Sequence, residues 1–101
     1  MFEDMLGDME AQSRALKEKL AEISLSASAG GGLVQITGNA ARDITAIKIS
    51  PELLQPSEAE ALEELLIVAF NQLVQQASAA EAKAGEDMMR DMLPGFGDLF
   101  G

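Results

Sequence analysis

Few side chains in this sequence can do covalent or acid–base chemistry. The 101 residues include no histidine and no cysteine. That excludes imidazole acid–base catalysis, thiolate nucleophiles, disulfides, and zinc sites built on thiolate or imidazole ligands. Ser24, Ser26 and Ser28 are hydroxyls at alternate positions, with no neighbouring base to activate them. Lys48 is an amine that a sheet could bring opposite them, yet no Ser–Lys motif accompanies it. Glu58, Glu60, Glu63 and Glu64 crowd the start of a helical pattern. With no histidine among them they read as a solvated face that the helix dipole favours, rather than as metal ligands. Gly30-Gly31-Gly32 is not followed by Gly-Lys-Ser/Thr and does not open a helix, so it reads as a turn and not as a phosphate cradle. These groups predict no catalytic residue, no metal site and no cofactor.

Charge limits the partners next. The net charge is −10, and it is unevenly spread. Residues 1–24 carry three basic against six acidic side chains, and residues 51–101 carry two against ten. Residues 25–50 hold only Arg42, Lys48 and Asp43, a net of +1. An acidic total repels phosphate backbones at long range, so composition by itself points away from nucleic acid. It fits an acidic protein-interaction module without DNA affinity. The acidic start, MFEDMLGDME, lacks a basic region followed by an apolar run, and no run of about eighteen apolar residues occurs. No signal peptide and no membrane span are expected, and the cytoplasm is the expected location.

The elements that position these charges follow from periodicity. Phe2, Leu6, Met9, Leu16, Leu20 and Ile23 recur in steps of three and four, with Ser13 in the one gap. That is a heptad seam on a helix arm over residues 1–23. A seam this narrow needs another helix, either the later one of this chain or one from a second copy. At Ile23 the period changes to two. Residues 24–50 read as a three-stranded antiparallel meander, with the triple glycine as the first turn and Gly38-Asn39 as the second. Thr45, Ile47 and Ile49 are expected on one face of the third strand and Lys48 on the other. Such a sheet has an apolar face to cover and two open edges. Pro51 ends it, one helical turn follows, and Ser57 with Glu60 makes a capping box for a long helix over 57–85. Leu62, Leu65, Leu66, Ala69, Phe70, Leu73, Ala77 and Ala80 give that helix a stripe wide enough to cover a sheet. Residues 86–101 read as a Met-rich flexible tail whose Met, Leu and Phe side chains could dock on a protein partner. The expected fold is α+β: an α-βββ-α subunit, one domain over 1–101, with two long helices flanking the meander, and dimeric. Leu6, Met9, Leu16, Leu20, Ile23, Ile47 and Ile49 are the candidate dimer contacts.

Taken together, these pieces resemble the YbaB/EbfC family of bacterial nucleoid-associated proteins. The resemblance is carried by the heptad helix, then Ser28-Ala29-Gly30-Gly31-Gly32-Leu33-Val34, then Ile47-Lys48-Ile49-Ser50-Pro51-Glu52-Leu53-Leu54. Glu63-Glu64-Leu65-Leu66-Ile67-Val68-Ala69-Phe70-Asn71 and a Met-rich end running into Leu93-Pro94-Gly95-Phe96 complete it. The resemblance implies a non-catalytic homodimer with a central sheet and projecting helices. It also implies a location at the nucleoid, with DNA as partner and an effect on nucleoid organisation and gene expression. Family members tend to carry Lys and Arg along the first helix, after the glycine turn and in the last helix. Here Glu3-Asp4, Gln35 and Gln75-Gln76 stand at those places. The remaining cations, Arg14, Lys17, Lys19, Arg42 and Lys48, are the candidate DNA contacts, since phosphate binding needs local Lys and Arg rather than a positive total.

Overall fold

The computed structural model describes residues 2–92. Helix α1 (Phe2–Ala21) leads into strands β1 (Ser24–Ala29), β2 (Val34–Asn39) and β3 (Ile44–Ile49). Two short 3-10 turns, Pro51–Leu54 and Pro56–Glu58, then deliver the chain to helix α2 (Ala59–Met92). The chain is elongated, 61 × 35 × 18 Å. This is the expected α-βββ-α order, with an antiparallel sheet in the order β1-β2-β3.

The alternation seen in the sequence becomes two faces. Ala27 and Ala29 of β1 pair with Ile36 and Val34 of β2, which pair in turn with Ile47 and Ile49 of β3. Residues paired directly across a sheet share a face, so these six form one apolar surface. Helix α2 lays Ala69 and Leu73 against it, with Leu62, Leu65 and Leu66 packed around them. Val34 and Ile36 are completely buried. Leu53, from the first 3-10 turn, closes one end of this core. A second, smaller core joins Leu20 of α1 to Ala40 and Ala84, with Leu16, Ile23 and Ala80 beside them.

The turns show why glycine stands where it does. Gly30, Gly31 and Gly32 all have positive φ, and a Cβ on Gly30 would sit 2.9 Å from a methyl of Leu65. The expected second turn at Gly38-Asn39 is displaced. Both residues remain in β2, and the chain reverses through residues 40–43. Gly38 is needed inside the strand because any side chain there would strike the Asp43 carbonyl. A bulge opposite Gly38 makes Ile44, not Thr45, its partner. Thr45 is thereby turned out of the apolar row, and its hydroxyl donates to the Thr37 carbonyl at 3.2 Å.

Helix α2 differs from expectation at both ends. The Ser57–Glu60 capping box does not form. Ser57 is taken into the 3-10 turn, where the Glu58 N–H donates to the Gln55 carbonyl at 2.9 Å. At the other end the helix passes through Gly85 to Met92. Burial of Ala84 against Leu20 outweighs the ~1 kcal/mol helix penalty of one glycine. Residues 86–92 of the expected tail are therefore helical, and residues 93–101 lie outside the described residues.

Candidate nucleic-acid and subunit interfaces

Two surfaces arise from the way a single helix covers three strands. The first is the sheet face turned away from α2. Its rows are Ser28, Gln35 and Lys48, then Ser26, Thr37 and Ala46, then Ser24 and Asn39. All but the half-buried Asn39 are exposed. No carboxylate stands among them, and Lys48 is their one charge. In a chain of net charge −10 this is a neutral-to-positive surface carrying hydroxyl and amide donors. Such groups can contact phosphate oxygens without reading bases. The serine alternation is visible in the sequence, whereas the alignment of Gln35, Thr37 and Lys48 with those serines is not, because register depends on where the turns fall.

The remaining candidate cations are distributed unevenly. Arg14 and Lys17 lie three residues apart on α1, where both are exposed. Lys17 and Arg42 line one hollow, together with Ser13, Leu16, Leu20, Ala41 and Glu81. Lys19 stands in the last turn of α1, where a cation suits the helix dipole. Lys48 is separate, about 13 Å along β3 from the strand's start beside that hollow.

Arg42 is held rather than free. Its φ is 71°, the left-handed region that a non-glycine residue seldom enters. The Asn39 side chain builds the turn that holds it there. Asn39 Oδ1 accepts from the Ala41 N–H at 3.0 Å and from the Asp43 N–H at 3.2 Å. Asn39 Nδ2 donates to Asp43 Oδ2 at 3.2 Å. The Arg42 guanidinium then donates to Glu81 Oε2 at 2.8 Å and to Ser78 Oγ at 3.1 Å, both on α2. Its charge is partly answered within the subunit, and its main effect here is to tie the β2–β3 turn to α2.

The second surface is apolar. Helix α2 crosses β1 and β2 and leaves most of β3 bare. Ile47 is 49% exposed although it shares a face with the buried Ile36. Phe70, expected in the sheet-covering stripe, is 46% exposed for the same reason: it overhangs the uncovered strand. Ile36, Ile47, Leu66, Ile67, Phe70 and Asn71 line a hollow of about 370 Å³ between β3 and α2. Beside it runs the unpaired edge of β3. The heptad seam of α1 divides in a similar way. Leu20 is buried against its own subunit, with Leu16 and Ile23 half-buried beside it, whereas Leu6 and Met9 remain exposed. Among the described residues, no helix is long and apolar enough to cross a membrane.

Comparison with known proteins places this geometry in a family. A model of the YbaB/EbfC DNA-binding family matches residues 1–92. The chain is similar to a nucleoid-associated protein of Bartonella tribocorum, 39% identical over 87% of this chain and 78% of that protein. It is also similar to a nucleoid-associated protein of Brucella anthropi, 35% identical over 92% of this chain and 94% of that one. Among solved structures, an uncharacterized protein of Helicobacter pylori matches with a TM-score of 0.71. That match covers 87% of this chain and 92% of the other at 22% identity, a likeness of fold.

Proposed function

Because the chain belongs to the YbaB/EbfC DNA-binding family, we propose that it is a nucleoid-associated DNA-binding protein that works as a non-catalytic homodimer. The family match over residues 1–92 carries the DNA reading. The carboxylate-free outer sheet face supports it, because it is a surface on which an acidic protein can meet phosphate. Lys48 supplies charge from the sheet, and Arg14, Lys17 and Lys19 supply it from α1. Arg42 contributes less, since Glu81 already answers it. With phosphate and sugar contacts dominating, binding has weak sequence preference. A protein that coats duplex in this way sits at the nucleoid and affects its organisation and gene expression.

The homodimer rests on the bare strand. An apolar surface formed by Ile47, Ile67, Phe70 and Val74 beside an open sheet edge is costly to leave in water. A second copy placed on this face would bury Ile47 and extend cover to Ile49, while leaving the outer sheet face and its Lys48 free. Dimerisation also doubles the cations offered to one duplex. Light scattering gives the mass directly: twice the subunit mass is expected, and a single-subunit mass would remove this part of the reading.

A titration of labelled duplex by fluorescence anisotropy, at low and moderate salt, tests DNA binding. The second reading, an acidic interaction module without DNA affinity, is favoured by the net −8 of residues 51–101. A pull-down from native lysate with and without nuclease separates the two. Partners lost on nuclease treatment belong to the first reading, and partners retained belong to the second.

A further inference from the structure

We propose, on the DNA reading above, that Glu81 is an internal stand-in for a DNA phosphate: it occupies Arg42 and so withholds one phosphate contact of each subunit. The contact joins the β2–β3 turn to α2 across 39 residues of sequence. Among the described residues it is the one side-chain ion pair, although acidic side chains outnumber basic ones by seventeen to seven. An abundance of carboxylates does not explain it, since the same abundance leaves Arg14, Lys17, Lys19 and Lys48 without such a contact among the described residues.

The site around this contact is built by the fold. Asn39 Oδ1 accepts from the Ala41 and Asp43 N–H groups on either side of Arg42, whose φ is 71°. The side chain therefore leaves the backbone from a fixed place. It lines a hollow of about 340 Å³ with Lys17, and Glu81 is the one carboxylate among the lining residues. Asp43, the acidic neighbour on the turn, is engaged by Asn39 Nδ2. A guanidinium takes a carboxylate and a phosphate with the same N–H donors, so Glu81 Oε2 stands where a phosphate oxygen would. The two side chains are 44% and 45% exposed, which leaves the pair open to an incoming duplex. Affinity for DNA comes largely from counterions released when an unpaired cation meets phosphate. A guanidinium already neutralised by a carboxylate adds no net charge to that exchange. Glu81 thereby lowers both the affinity and its dependence on salt.

Glu81→Gln isolates the charge, because glutamine keeps a carbonyl oxygen that can accept from Arg42. In an anisotropy titration of labelled duplex it should bind about tenfold more tightly than wild type at low salt, with a salt slope steeper by about 1–2 for each dimer. Glu63→Gln removes the same charge about 27 Å away along α2 and should gain less than about threefold, with the slope unchanged. In an Arg42→Ala background, Glu81→Gln should bring no more than that small gain. A Glu81→Gln gain no larger than that of Glu63→Gln would overturn the proposal while leaving DNA binding by the wild type in place. So would a gain that survives Arg42→Ala. Absence of binding by both wild type and Glu81→Gln would remove the DNA reading, and this proposal with it. Glu81→Ala, checked by circular dichroism melts, covers a failure of Glu81→Gln to fold and should show the same gain.

Discussion

Ile36 and Ile47 are neighbours on one face of one sheet, with the same side chain, and they meet different fates. Ile36 is fully buried under α2, and Ile47 is half exposed. The width of a helix explains the difference. A helix with its side chains is about 10–12 Å across, and strands lie about 4.8 Å apart, so one helix covers two strands well and a third poorly. The covered part of the face holds the subunit together. The bare part is what we propose the subunit offers to a second copy. On that proposal, stability and assembly use the same kind of residue and differ only by strand.

The sharpest way to break this comparison is to damage the covered side. Ile36→Ala or Leu73→Ala should each cost about 2–5 kcal/mol, because both side chains are buried and leave a cavity. Denaturant melts would show it, and a cost below about 1 kcal/mol would mean that this side is not the core. Damage to the bare side should read differently. Ile47→Asp or Phe70→Asp should halve the mass seen by light scattering while the isolated subunit stays folded by circular dichroism. An unchanged dimer mass would move the interface elsewhere. On the outer face, Lys48→Glu should weaken DNA binding and lower the salt slope by about 1–2 for each dimer, with mass and melting unchanged. An unaltered slope would exclude that face. The smallest effect belongs to Arg42→Ala. It removes an exposed ion pair worth about 0–1 kcal/mol and should change stability by no more than that.

Much of the fold was legible because periodicity is a local property. The switch from heptad spacing to alternation at Ile23 marked where α1 gives way to β1, and the Leu62–Leu73 stripe marked the face of α2. What stayed hidden depends on contacts between distant residues. The place of the second turn was misread because Gly38-Asn39 looks like a turn pair. Gly38 is required instead by the approach of the Asp43 carbonyl. The helix continues past Gly85 because Ala84 packs on Leu20, a contact that spacing along one helix cannot reveal. Among the candidate cations, Arg42 looked as free as Lys48 until Glu81 and Ser78 were brought to it across 39 and 36 residues of sequence. The serine face was visible as alternation, but its freedom from carboxylates depends on the register of all three strands.

Despite its acidic total, the protein is expected to bind duplex DNA through local cations on surfaces that escape the acidic bias. The direct measurement is the affinity of the wild-type protein for a mixed-sequence duplex at 50 and 200 mM salt. With roughly four to six phosphate contacts for each dimer, affinity should fall about a hundredfold or more across that range. Absence of binding to any duplex at 50 mM salt, or binding indifferent to salt, would contradict it.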